Sequence, residues 1–70
     1  MIEVRLFATF RENRGKKIQV DAKDGNEILE KIDIKKEDVT IFLINGRDGS
    51  LDTPLKDEDI VSLFPPVGGG

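Results

Sequence analysis

Only one stretch of this 70-residue chain carries a helical signature, and it lies between segments whose apolar residues alternate as strands. Asp24 is followed three residues later by Glu27, the spacing of a capping box. The aspartate can accept from the N–H groups exposed at a helix start, and the glutamate stands near the positive end of the helix dipole. Ile28, Leu29 and Ile32 then form one apolar stripe, Ile34 can close it beyond Asp33, and Glu27, Glu30 and Lys31 stay outside. A single short helix cannot bury its stripe against itself, so it must lie on a sheet.

The strands to build that sheet are legible on either side. Ile2 to Ala8 alternates with period two, placing Ile2, Val4, Leu6 and Ala8 on one face and Glu3, Arg5 and Phe7 on the other. The polar segment Arg11 to Lys16 contains an Asn and a Gly suited to a turn, and Lys17 to Asp21 alternates again, so a hairpin is the simplest join. Beyond the helix, Lys35-Lys36-Glu37-Asp38 reads as a solvated loop, because adjacent opposite charges make no field. Val39 to Ile44 is almost wholly apolar and β-branched, which suits a central strand, and it stops at the turn signal Asn45-Gly46. The segment Arg47 to Lys56 is irregular, anchored by Leu51 and Leu55. After the turn Lys56 to Asp59 comes a last strand, Ile60 to Phe64, with Val61 and Leu63 on one face and Ser62 and Phe64 on the other. The order predicts an α+β domain over residues 1–64, in which one main helix covers one face of a four- or five-stranded mixed sheet.

Composition restricts function more than it restricts fold. With 37% apolar and 36% charged residues the chain has the make-up of a soluble globular domain, and 70 residues leave no room for a second one. A net charge of −3 offers no electrostatic reason to bind nucleic acid or anionic lipid, so the expected partners are proteins or small molecules. No apolar run is long enough to cross a membrane and the charged opening is no signal peptide, so the expected location is cytoplasmic. Cysteine and histidine are both absent, which removes thiol chemistry, the common zinc ligands and the commonest general base. Neither a catalytic set nor a metal site is expected in this chain.

The ending Leu63-Phe64-Pro65-Pro66-Val67-Gly68-Gly69-Gly70 is the one stretch that the needs of a small fold do not explain. Two prolines hold the chain extended and keep it out of helix or ladder, so residues 65–70 should form a flexible functional tail leaving the domain. Extended at roughly 3.3 Å per residue, its six residues reach about 20 Å, far enough to enter a partner's pocket. Gly68, Gly69 and Gly70 have no side chains to obstruct a narrow channel, and the group left at the tip is the Gly70 carboxylate. A glycine-rich end is also the composition of a frayed terminus.

This element order, closed by such an ending, resembles the MoaD family, the small sulfur-carrier subunits of molybdopterin synthase. Phe64, Pro65, Pro66, Val67, Gly69 and Gly70 match that family's terminal motif, Gly68 falls at a place often taken by a small residue, and the opening Met1 to Ala8 and the turn Leu55 to Asp59 are similar too. The middle of the chain is shorter than in typical MoaD proteins, and the compact length looks more like ThiS, the carrier for thiazole formation, which usually lacks the Pro-Pro-Val step. Archaeal ubiquitin-like modifiers share the same fold and tail.

The resemblance implies a β-grasp fold and a Gly70 that is adenylated with ATP by a ubiquitin-activating-type enzyme and converted to a thiocarboxylate. It also implies delivery to the molybdopterin synthase large subunit. Gly69 and Gly68 would thread the partner's site, and Phe64 to Val67 would be the recognised stem. ATP would be used by the activating partner, and this chain would bind no cofactor of its own. Conjugation through Gly70 to lysines, or sulfur delivery for thiazole or tRNA thiolation, are the alternatives implied.

The alternation also places Phe7, Phe42, Ile44 and Phe64 opposite the helix-covered side. There they either form one partner-docking patch, or are scattered or covered by the segment Arg47 to Lys56.

Overall fold

The computed structural model of the chain describes residues 1–66. Among them, strands β1 (Ile2–Leu6), β2 (Lys17–Val20), β3 (Ile41–Ile44), β4 (Arg47–Asp48) and β5 (Ile60–Phe64) form one sheet, in the spatial order β2-β1-β5-β3-β4. The helix α1 (Gly25–Ile32) covers one face. β1 runs parallel to β5, with Leu6 opposite Leu63, and the other pairings are antiparallel. The sheet is therefore mixed and five-stranded, as the order of elements requires.

The helix begins where the capping residues place it. The Asp24 carboxylate accepts from the Glu27 N–H at 2.9 Å, and Glu27 Oε1 accepts from the Lys23 N–H at 3.1 Å. Both acceptors satisfy donors at the start of the helix that no earlier turn could reach. At the other end Asp33 takes a left-handed conformation (φ 61°), and the Ile34 N–H then returns to the Leu29 carbonyl at 3.0 Å. That reversal brings Ile34 back into the core, beside Ile28 and Leu29.

The core also takes Ile2, Val4 and Leu6 from β1, Val20 from β2, and Val61 and Leu63 from β5, with Leu51 and Leu55 packed against its margin. Three expectations are corrected. β1 ends at Leu6, and Ala8–Arg11 forms a 3-10 turn that buries Phe10, so the connection to β2 is more than a hairpin turn. The central strand is β5, because the segment after Asn45-Gly46 adds only the two-residue strand β4 beyond β3.

The third correction concerns Phe42 and Ile44, which face the core side instead of the open side. Phe42 is 8% exposed and pairs with the fully buried Leu63; Ile44 pairs with the fully buried Val61. Residues directly opposite in a ladder point to the same face, so the inward pair on β5 carries Phe42 and Ile44 inward with it. The Phe42 ring lies under the start of α1, where a Cβ on Gly25 would come within 2.7 Å of Phe42 Cζ.

Candidate functional site: the root of the tail

β5 carries its chain from the middle of the sheet directly into Pro65 and Pro66, so the tail starts from the most firmly held strand. Two ladders grip its last two residues. The Thr40 N–H donates to the Phe64 carbonyl at 2.8 Å from the β3 side, and Leu63 sits opposite Leu6 on the β1 side. Pro65 is half-buried and Pro66 exposed. Val67, Gly68, Gly69 and Gly70 lie outside the described residues.

Beside this exit the open face gathers its aromatic side chains. Leu6 points inward, so Phe7 points outward, and its ring stacks on that of Phe64 with centroids 4.2 Å apart and planes 7° from parallel. The two residues are adjacent because β1 and β5 are parallel neighbours in register. The Arg11 guanidinium lies over the Phe7 ring at 5.3 Å, held there by its Nε–H donating to the Leu6 carbonyl at 2.8 Å. The result is a cluster of one cation and two rings, with Phe7 in contact with both others, at the root of the tail.

Of the four residues expected to form a docking patch, the structure brings together Phe7 and Phe64 and sends Phe42 and Ile44 to the other face. Ile44 is instead covered by the loop after β4, where a Cβ on Gly49 would come within 2.6 Å of its Cδ1. Their places on the open face are taken by Ile41, opposite Phe64 and 44% exposed, and by the half-buried Leu43, opposite Ser62. The pairing of β3 with β5 identifies these two, and the composition of β3 does not. Arg11 escaped the sequence reading because the 3-10 turn that aims it was not foreseen.

The charged groups at the opposite end of the sheet are structural. The Asp59 carboxylate is held below its ordinary pKa, first by the Lys56 N–H at 2.8 Å and then by the Asn45 amide at 3.0 Å. Glu3 is lowered chiefly by its hydrogen bond from Arg5 at 2.6 Å. The Met1 ammonium is raised by its bond to Asp57. A shallow depression of about 360 Å³, lined by Met1, Glu3, Gln19, Asp57, Glu58 and Ile60, lies at this end and away from the tail. Among the described residues no group of three potential ligands is placed to hold a metal ion, and no helix is long and apolar enough to cross a membrane.

Residues 4–70 match the model of the ThiS family. The chain is 34% identical to small archaeal modifier protein 3 of Haloferax volcanii, over 99% of this chain and 98% of that one. Its backbone superposes on one chain of the solved complex of subunits 1 and 2 of the molybdopterin-converting factor from Helicobacter pylori with a TM-score of 0.66, at 33% identity and over 99% of this chain and 97% of that one. It superposes on SAMP1 from Haloferax volcanii with a TM-score of 0.73, at 28% identity and over 99% and 98%. The fold is thus the ubiquitin-like β-grasp.

Proposed function

The chain belongs to the ThiS family of ubiquitin-like sulfur carriers and small modifiers, and from that premise we propose that it carries sulfur as a thiocarboxylate on Gly70. A carboxylate is a poor electrophile. An adenylating enzyme would join it to the α-phosphate of ATP with loss of pyrophosphate, and a sulfur nucleophile would then displace AMP from the acyl carbon. The enzyme supplies the catalysis and this chain is its substrate. Gly68 and Gly69 pass through the partner's channel as backbone alone, and Phe64 to Val67 form the stem that partners grip.

The observation that carries this reading is the stack of Phe7 on Phe64 at the point where β5 becomes Pro65. A partner that receives the tail meets an apolar surface of Phe7, Phe64, Ile41 and Leu43 beside it, and aromatic anchors of this kind dominate interface energies. Similarity to a subunit solved in complex with its larger partner supports a synthase large subunit as the acceptor, and the building of molybdopterin as the destination of the sulfur.

A second reading, conjugation through Gly70 to lysines of other proteins, is favoured by the similarity to two Haloferax volcanii small modifiers. Intact mass spectrometry of the protein after incubation with ATP, a sulfur source and host lysate separates the two. Oxygen-to-sulfur exchange on the free chain is the expected result; conjugates without exchange support the second reading, and an unchanged mass sinks both.

A further inference from the structure

The net charge of −3 is unevenly placed. Residues 5–17 hold five cations and one anion, whereas residues 52–59 hold four anions and one cation. The fold puts these segments at opposite ends of the sheet. β1 and β5 are parallel, so the connection from β1 to β2 lies at the end where β5 hands over to Pro65, and the turn before β5 lies at the other.

Arg14 is engaged by the helix end: its Nε–H donates to the Ile32 carbonyl at 3.1 Å and its Nη2 to the Asp33 carbonyl at 3.2 Å, pinning the end of α1. The remaining cations face outward. Arg11 lies over Phe7, and Lys17 stands opposite Arg5 across the β1–β2 ladder. Lys16 and Lys17 are exposed and make no ion pair among the described residues. Lys35 and Lys36, near the start of β3, are offset by Glu37 and Asp38 and add nothing to the field.

Building on the carrier reading above, we propose that Arg11, Lys16 and Lys17 form a cationic collar beside the root of the tail, Arg5 being already engaged by Glu3, and that the protein which receives the tail presents a carboxylate-rich rim around its channel. Such a pairing orients the encounter. The collar attracts the rim while Asp57, Glu58 and Asp59 repel it, so the chain approaches tail first, and electrostatic steering of this kind acts mainly on the association rate. The apolar pair Phe7 and Phe64 inside the collar completes the arrangement of an apolar centre with a charged rim. A polynucleotide fits less well, because its long run of phosphates would also meet the acidic end.

The test uses the full chain and the ubiquitin-activating-type enzyme of the same genome. The collar reversal Lys16→Glu with Lys17→Glu is compared with Lys23→Glu plus Lys56→Glu, which makes the same change in net charge far from the tail. Stopped-flow association at low salt should slow about tenfold or more for the collar reversal and hardly at all for the distal one. The difference should fade toward 1 M salt, where the screening length falls to about 3 Å. Equal slowing by the two reversals, or rates indifferent to salt, would overturn the collar.

A second measurement needs no enzyme. Polyglutamate added to the isotope-labelled protein should shift the amide resonances of residues 5–17 and spare those of residues 52–59. Shifts spread evenly, or stronger effects from an oligonucleotide of equal charge, count against the proposal. If the native chain is never adenylated, the carrier reading falls, and the polyglutamate titration still decides the collar.

Discussion

Phe42 and Phe64 lie on neighbouring strands with their rings on opposite faces of the sheet, so truncating them should have opposite consequences. Phe42→Ala removes a buried ring packed beneath α1 and should destabilise the fold by about 3–5 kcal/mol, read as a lower chemical-unfolding midpoint. Phe64→Ala should cost the fold little more than its stacking on Phe7, about 0.5–1.5 kcal/mol, and weaken binding to the activating enzyme or the synthase by about 2 kcal/mol or more, read by titration calorimetry. A loss of affinity from Phe42→Ala in protein that remains folded would return that ring to the docking surface. In a double-mutant cycle, Phe7 and Phe64 should show a coupling of about 0.5–1.5 kcal/mol, the range for a stacked pair. That Phe64 faces outward follows from the alternation of β5 alone. The orientation of Phe42 was not legible, because every residue of β3 is apolar and period two then has no sign.

At the scale of elements, α1 was readable almost to the residue because its capping and its stripe are both local. Asp24→Ala should cost about 1 kcal/mol of stability, while Asp24→Asn should recover most of it, since the amide oxygen can still accept from Glu27. Gly25→Ala tests the helix from the other side: the added methyl must displace the Phe42 ring, and a loss of about 1–3 kcal/mol is expected in place of the gain that alanine normally brings to a helix. The turn before β5 has its own pH dependence. Asp59 has a lowered folded pKa, so its contribution is fully present above the unfolded value near 3.8 and disappears as pH falls through the folded one. Stability of the native protein should therefore fall more steeply below about pH 4 than that of Asp59→Asn. Parallel acid-unfolding curves would show that the carboxylate does not hold this turn.

The molecule as a whole separates folding from function at Pro65. Residues that fold it lie before that proline, and those proposed to carry sulfur lie after it, so each should be alterable alone. Gly69→Val should abolish thiocarboxylate formation and leave the thermal midpoint of the native chain, because position 69 lies beyond the last strand. One residue appended after Gly70 should do the same by replacing the reactive carboxylate with an amide. Normal loading of either variant, measured by intact mass, would dismiss the narrow-channel account of the tail.

Patterns carried by neighbours in the chain were enough to settle much of this protein. The alternation of β1 and β5, the capping of α1, the Asn45-Gly46 turn and the Pro-Pro-Val-Gly-Gly-Gly ending each depend on residues a few positions apart, which fix local geometry before any tertiary contact forms. What remained depends on which strands lie side by side. β5 became central because the chain beyond β3 yields only a two-residue strand, and its pairing with β3 assigned Phe42 to the core and Ile41 to the surface. Its parallel pairing with β1 brought Phe7, Arg11 and Phe64 together at the root of the tail. The contact of Phe7 with Phe64 spans more than fifty residues of sequence, and no local periodicity encodes it; only the burial of both inner faces against one helix selects that register.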